Sequence, residues 1–269
     1  MNTQKHMKHW KLKTLLLSST LLLSFTLAKK KSKNIGVIWY IGDSITQSNA
    51  DGDANGSPRK SLYTLLKNDG YDFSYTGHHD RNVDGLPTTG EEIENNLYHY
   101  HSGVSGILIG DTAKGARFGG ICPSLPSIWN QGRLKSVKPN AILIMLGTND
   151  IGHKYKIEEA PKRIETLLNR IYDLPNIGEP TIFLSNVPPN RRNETDQKNV
   201  LAFNTCFPKI VKKYKAMGKK IYFVDVHTPI AENYKENMRG DNLHPNAAGN
   251  EVMAQQWFEA IKKKLKKVK

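Results

Sequence analysis

Short apolar segments alternate with segments of helical periodicity along most of the chain. The runs at 35–41 (IGVIWYI), 141–146 (AILIML), 181–187 and 221–226 are almost continuously apolar. Apolar runs of this length are typical of β-strands buried on both faces. The segment 71–77, YDFSYTG, alternates instead and predicts a half-buried strand. The pattern therefore predicts about five strands.

Helical spacing fills the intervals between these strands. The first predicted helix begins at Ser57 and Pro58, an N-cap followed by a favourable first helical residue, and stops at Gly70. The second presents one apolar face, formed by Ile157, Ala160, Ile164, Leu167, Leu168 and Ile171.

Two further helices are predicted in the second half of the chain. Residues 196–216 are helical in spacing, with a kink expected at Pro208. The last helix carries Val252, Met253, Gln256, Trp257, Ala260, Ile261 and Leu265. By contrast, 78–135 shows little periodicity, and segments of this kind usually carry function or contain short helices.

Strands that alternate with helices predict a parallel sheet covered by helices on both faces. We expect one α/β domain, a three-layer α/β/α sandwich with about five parallel strands, and we expect Trp39, Tyr40 and Trp257 in its core. Functional sites in such sheets form at the carboxyl ends of the strands.

The N-terminal segment 1–28 is treated separately from the fold. Lys5, Lys8, Lys11 and Lys13 precede an apolar run at 14–28, which is shorter than the ~20 residues that a membrane-spanning helix needs. This pattern predicts a secretory signal peptide cleaved near Ala28, hence a secreted or periplasmic domain at 29–269 without stable membrane insertion. An uncleaved anchor is the alternative.

Charge is strongly positive, at +14 for the 269 residues, and +10 would remain without the four lysines of 1–28. Much of it lies in the C-terminal sequence IKKKLKKVK. A solvated tail explains this run, and attraction to anionic polymers or membrane surfaces is the alternative. The sequence has no basic segment with interleaved aromatic residues, so it predicts no nucleic-acid partner.

Cysteine and histidine usage predicts no metal site and no cofactor. Cys122 and Cys206 are isolated, and export would permit a disulfide that the sequence does not decide. The spacing of the histidines in 78–101, namely His78, His79, His99 and His101, does not match a zinc signature.

Reactive side chains follow several predicted strands. Ser44 lies just beyond the first strand, Asn149 follows AILIML, and Asp241 and His244 come beyond the last strand. A serine hydroxyl needs a base to take its proton, and the base needs a partner that holds its tautomer. An oxyanion would be bound by the N–H of Ser44, by a glycine N–H and by the Asn149 amide.

Four blocks of the sequence resemble the GDSL/SGNH hydrolase superfamily, and within it carbohydrate esterase family 3 and related acetylxylan esterases. They are GDSIT (42–46), HSG (101–103), GTND (147–150) and DNLHP (241–245), and the resemblance covers roughly residues 35–265. It implies a flavodoxin-like SGNH fold and Ser44, Asp241 and His244 as a catalytic triad. Ser44, Gly103 and Asn149 would supply the oxyanion hole, with Gly106 as the alternative glycine.

The resemblance implies a secreted serine esterase that removes O-acetyl groups from a polysaccharide or oligosaccharide. A lysophospholipase or lipase, a non-catalytic carbohydrate-binding relative and a flavodoxin-like nucleotide binder are the alternatives. We expect structural roles for Asp43 and Asp150. The loop residues Arg81, Asn190 and Arg191 are expected either in solvent or against substrate. The sequence does not specify the oligomeric state.

Overall fold

The structure, a computed structural model, describes residues 32–47, 57–79, 100–110 and 119–267. The predicted signal segment, His99 and Arg81 lie outside these residues. The strands are β1 (Lys33–Gly42), β2 (Tyr71–Thr76), β3 (Ser102–Gly103), β4 (Ala141–Met145), β5 (Thr181–Ser185) and β6 (Ile221–Val224).

Helices of the described residues fill every interval in which helical spacing was recognised, and shorter helices that were not predicted lie between them. These helices are α1 (Ser44–Gln47), α2 (Ser57–Asn68), α3 (Ile121–Trp129), α4 (Thr148–Gly152), α5 (Ala160–Tyr172), α6 (Glu194–Asn204), α7 (Cys206–Ala216), α8 (His227–Glu232), α9 (Tyr234–Asn237) and α10 (Ala247–Lys264), with 3₁₀ turns at Gly132–Lys135 and Ile157–Glu159. None of these helices is long and apolar enough to cross a bilayer.

The strands form one parallel sheet in the order β2-β1-β4-β5-β6. The two-residue strand β3 pairs with the end of β1, where Gly42 lies opposite Gly103. In the centre of the sheet, Ile41 of β1 lies opposite Ile144 of β4. The predicted α/β sandwich with about five parallel strands is confirmed.

Each central strand divides its side chains between two apolar layers. Trp39 and Ile41 of β1 belong to the layer that packs on α3, α5, α6 and α7. Ile38 and Tyr40 belong to the opposite layer, under α2 and α10. Since both faces are covered, every residue of β4 and β5 is buried, as their apolar runs predicted. Trp39, Tyr40 and Trp257 lie in the core as expected.

The predicted helix at 196–216 is two helices that meet at Thr205. The prediction of a kink at Pro208 was therefore wrong in position. Proline lacks an amide hydrogen and is tolerated in the first turn of a helix, where the N–H would have no intrahelical acceptor. A new helix beginning at Cys206 places Pro208 in such a turn, so the break precedes the proline.

Candidate active site

Ser44 lies at the junction between the first strand and the first helix. Strand β1 ends at Gly42, and α1 begins at Ser44, so the side chain sits at the carboxyl end of the sheet. Gly42 is required there, because a Cβ at this position would overlap the Thr46 hydroxyl and approach the carbonyl of Met145 to 2.9 Å. The tight turn thus presents the Ser44 hydroxyl above the strand end.

Asp43 stabilises this turn by a side-chain hydrogen bond to the backbone. Its Oδ1 accepts the N–H of Ile45 at 3.0 Å, which satisfies one amide at the start of α1. The side chain is fully buried, and burial raises the pKa of Asp43 from 3.8 to about 6. Asp43 therefore has the structural place that the sequence led us to expect.

His244 connects Ser44 to Asp241. The Oγ of Ser44 lies 3.0 Å from Nε2 of His244, and Nδ1 of His244 lies 2.6 Å from Oδ2 of Asp241. Since an ionised carboxylate only accepts hydrogen bonds, Nδ1 of His244 is the donor to Asp241, and Nε2 is the ring nitrogen that faces the Ser44 hydroxyl. The three side chains form one hydrogen-bonded line at the sheet edge.

The second oxygen of Asp241 organises its own loop. Oδ1 accepts the backbone N–H groups of Leu243 and His244 at 3.0 and 2.9 Å. Partial burial by itself would raise the pKa of Asp241, but the hydrogen bonds from His244 and Leu243 outweigh it and hold this pKa below its usual value. The carboxylate is therefore ionised and fixed at neutral pH.

The loop that carries Asp241 is also held by contacts that the sequence did not predict. Asn242 has a left-handed backbone with φ 57°, and its carbonyl accepts the N–H of Arg191 at 3.0 Å. The hydroxyl of Tyr234 donates to Oδ1 of Asn242 at 3.1 Å, and the guanidinium of Arg191 lies 4.0 Å from the centre of the Tyr234 ring. No motif marks Tyr234, because its partner is specified only by tertiary contact.

Gly103 lies beside the nucleophile, and its N–H is already engaged. The N–H of Val104 donates to the Gly42 carbonyl at 3.0 Å, which fixes β3 next to the Ser44 turn. A Cβ at Gly103 would come within 2.6 Å of the backbone nitrogen of Gln47, so only glycine fits. The N–H of Gly103 donates to Nδ1 of His101 at 2.9 Å.

Asn149 lies in α4 and contacts the segment that follows Gly103. Gly147 precedes it with φ 128°, a left-handed value that favours glycine, and leads into α4. One amide hydrogen of Asn149 donates to the carbonyl of Ile107 at 3.0 Å. An amide nitrogen carries two hydrogens, so the side chain retains a second donor.

The remaining singled-out polar residues have structural contacts. Asp150 is buried, pairs with Arg163 at 2.9 Å and accepts the N–H of Ile109, which agrees with the structural role expected for it. Asn190 was expected in solvent or against substrate but is buried, with Oδ1 accepting from the backbone and side chain of Arg192, so the prediction of a solvent-exposed side chain was wrong.

The histidines and cysteines form no metal site among the described residues. Ser102 Oγ accepts the indole N–H of Trp39 and lies 2.8 Å from Nδ1 of His78, and burial lowers the pKa of His78 to about 4. Cys122 and Cys206 are both buried thiols and are not joined in a disulfide.

Comparison with known proteins gives one family match and one curated relative. The model of the family GDSL-like Lipase/Acylhydrolase matches residues 38–257. The "Multidomain esterase" of Ruminococcus flavefaciens is 26% identical over 234 residues, which cover 85% of this chain. The chain spans only 29% of the length of that relative.

Several solved structures share the fold. A family 3 carbohydrate esterase of Clostridium thermocellum has a TM-score of 0.63 and 21% identity, covering 87% of this chain and 98% of its own. A family 3 carbohydrate esterase of Talaromyces cellulolyticus gives 0.61 and 19%, covering 84% and 96%. A family two carbohydrate esterase of Clostridium thermocellum, in complex with cellohexaose, gives 0.57 and 19%, covering 88% and 66%. At these identities the likeness concerns the fold.

Proposed function

Since the chain belongs to the GDSL-like lipase/acylhydrolase family, it is a carboxylic ester hydrolase, and we propose that it removes O-acetyl groups from carbohydrates by a serine mechanism. In this proposal Ser44 is the nucleophile, His244 the general base and Asp241 the group that orients the imidazole. The observation that carries it is the line of contacts from Ser44 through His244 to Asp241, at 3.0 and 2.6 Å. Both distances suit hydrogen bonds along which a proton can pass.

Two successive acyl transfers then complete the reaction. Ser44 Oγ attacks the acetyl carbon while its proton passes to Nε2 of His244, and the imidazolium is stabilised by the Asp241 carboxylate. His244 returns that proton to the sugar oxygen as the C–O bond to the acyl carbon breaks. A water molecule, deprotonated by His244, attacks the acyl-enzyme and releases acetate, and the proton returns to Ser44.

The oxyanion would be bound by the N–H of Ser44, the N–H of Gly103 and the amide of Asn149. Asn149 retains a donor beside its bond to Ile107, as described above. Gly103 has to exchange its His101 acceptor for the oxyanion, because one N–H bonds one strong acceptor at a time. Catalytic hydrogen bonds often form only in the transition-state complex, so this exchange is compatible with the proposed role.

The carbohydrate substrate and the location belong to the same proposal. The shared fold with carbohydrate esterases supports an acetylated polysaccharide or oligosaccharide as substrate. The pattern of residues 1–28 supports export, which would bring the enzyme to such polymers. We propose no metal and no cofactor, because a hydroxyl, an imidazole and a carboxylate suffice for acyl transfer.

Three measurements test the proposal. Ser44→Ala should fold normally and lose hydrolysis of p-nitrophenyl acetate, and full retained activity would exclude Ser44 as the nucleophile. The wild-type enzyme should release acetate from acetylated xylan, pectin or another acetylated carbohydrate, and should prefer acetyl over octanoyl esters. A preference for octanoyl esters would favour the lipase alternative, and acetate release from none of a broad panel would refute the carbohydrate substrate.

A further inference from the structure

One end of the molecule carries a dense set of lysines that the proposed reaction does not use. From Cys206 to Lys220 there are six lysines and no acidic residue, and 260–267 contains five lysines and again no acidic residue. The first segment contains α7 and the turn after it, and the second contains the end of α10. Both approach the beginning of β6. We call this surface the basic end; it consists of Lys209, Lys212, Lys213, Lys215, Met217, Lys219, Lys220, Lys262, Lys263, Lys264, Lys266 and Lys267.

Tyr222 is where the two segments meet. The ammonium group of Lys215, from α7, lies 4.8 Å from the centre of the Tyr222 ring, and that of Lys264, from α10, lies 5.5 Å from it. Lys219 lies 4.4 Å from the ring of Tyr172. Since β6 is an edge strand, the lysines of both helical layers cluster around one edge of the sheet.

Carboxylates neutralise only part of this surface. Within the described part of the chain, four members of the basic end form ion pairs with acidic side chains, namely Lys213, Lys220, Lys262 and Lys263. The ion pairs of the described residues do not include Lys215, Lys219 or Lys264, although Lys219 is close enough to Glu179 to help Lys220 lower the pKa of that carboxyl. Like charges held this close cost free energy unless anions from outside approach them.

Met217 protrudes among these lysines. It lies in the turn between α7 and β6 and is 58% exposed, one of two large apolar side chains that the described residues leave this open. Its neighbour Gly218 has φ 78°, so the turn has a fixed left-handed shape that presents Met217 outward. An exposed apolar side chain surrounded by cations is typical of proteins that rest on anionic lipid surfaces.

We propose that the basic end is a peripheral binding surface for anionic lipid headgroups, with Met217 entering the interfacial region of the bilayer. A soluble polyanion would attract the same lysines but would gain nothing from an apolar protrusion, so Met217 favours the lipid surface. Ser44 lies at the carboxyl end of the sheet, whereas the basic end surrounds the beginning of β6. Adsorption would therefore leave Ser44 facing away from the membrane, and the proposal does not depend on the esterase mechanism.

Vesicle co-sedimentation of the full chain tests this surface. We expect binding to vesicles of phosphatidylglycerol mixed with phosphatidylcholine to exceed binding to pure phosphatidylcholine, and to weaken with added salt. Residues 1–28 would bind both vesicle types through their apolar run and would add some charge dependence through their four lysines, so the measure is the change in charge-dependent binding of each variant relative to the wild type. The triple variant Lys215→Glu, Lys219→Glu, Lys264→Glu should lower this charge-dependent binding roughly a hundredfold.

The matched control is the triple variant Lys162→Glu, Lys198→Glu, Lys235→Glu, which reverses the charge of three exposed lysines outside the basic end. Equal losses in both triple variants would show that only net charge matters and would overturn the proposal, as would equal binding to the two vesicle types. Met217→Gln should weaken vesicle binding severalfold while retention on a soluble polyanion such as polygalacturonate is unchanged. If vesicle binding is insensitive to Met217→Gln, the lipid assignment is wrong. Circular dichroism and ester hydrolysis of every variant verify that it is folded.

Discussion

The hydroxyl of Ser44 lies 3.0 Å from Nε2 of His244, although 200 positions separate the two residues in the chain. Their proximity depends on two elements that approach the same sheet edge, the turn after β1 and the loop before α10. The fold thereby places a poor nucleophile beside an imidazole nitrogen, which is the arrangement that a serine esterase requires.

Asp241→Asn should separate the orienting role of Asp241 from its structural role. The asparagine oxygen can still accept the N–H groups of Leu243 and His244, whereas its amide cannot accept the proton on Nδ1 of His244. We expect turnover of p-nitrophenyl acetate to fall about 10³–10⁴-fold with an unchanged thermal unfolding midpoint. Turnover within a few-fold of the wild type would argue that Asp241 has no part in orienting His244.

Asn149→Ala should slow turnover about 10²–10³-fold with little change in KM, because the lost donor acts on charge that develops in the transition state. The matched control is Asn130→Ala, which removes a similar side-chain bond, to the carbonyl of Pro126 at 2.9 Å, on the exposed surface. Steady-state kinetics of both variants provide the measurement. Equal effects of the two substitutions would remove Asn149 from the oxyanion hole.

Tyr234→Phe should show whether the hydrogen bond to Asn242 keeps the Asp241 loop in place. The ring stays beneath Arg191, while the bond to Oδ1 of Asn242 is lost, at a cost of about 1 kcal/mol or a roughly fivefold lower kcat. Tyr172→Phe is the control, because the hydroxyl of Tyr172 is buried without a hydrogen-bond partner. An unchanged kcat in Tyr234→Phe would mean that the loop keeps its geometry without this contact.

Asp43 should make stability depend on pH. Burial places its folded-state pKa at about 6, above its ordinary 3.8, so the folded state holds this proton more tightly than the unfolded chain. Its contribution is therefore fully present below about pH 4 and is lost as pH rises through about 6, a change of about 3 kcal/mol.

Asp43→Asn should remove this dependence, since the amide oxygen can still accept the N–H of Ile45 and no charge is buried. Urea unfolding of both proteins between about pH 4 and about pH 7 gives the comparison. The wild type should lose stability relative to the variant as pH rises. Parallel curves would show that the Asp43 carboxyl does not titrate in this range.

Much of the fold could be predicted from the sequence, because the longer strands and helices have a recognisable local pattern of apolar residues. The apolar runs IGVIWYI and AILIML appear as β1 and β4, and the helix that begins at Ser57 ends at Asn68, next to its predicted stop. The division of 196–216 into two helices escaped prediction, because Pro208 fits either a kink or the first turn of a new helix. Tyr234 escaped because its partner is specified by tertiary contact alone.

By itself the sequence determined the order of the longer strands and helices and the strand ends after which Ser44 and Asn149 lie. Apolar periodicity encodes burial residue by residue, and a parallel sheet brings its carboxyl ends to one edge, so this much follows from local pattern. Only the tertiary structure decided that the N–H of Gly103 faces His101, that Arg191 and Tyr234 hold the Asp241 loop, and that lysines of two helices surround Tyr222. The physical reason is that hydrogen bonds and ring contacts depend on separations within a few ångströms, which packing sets between residues far apart in the chain.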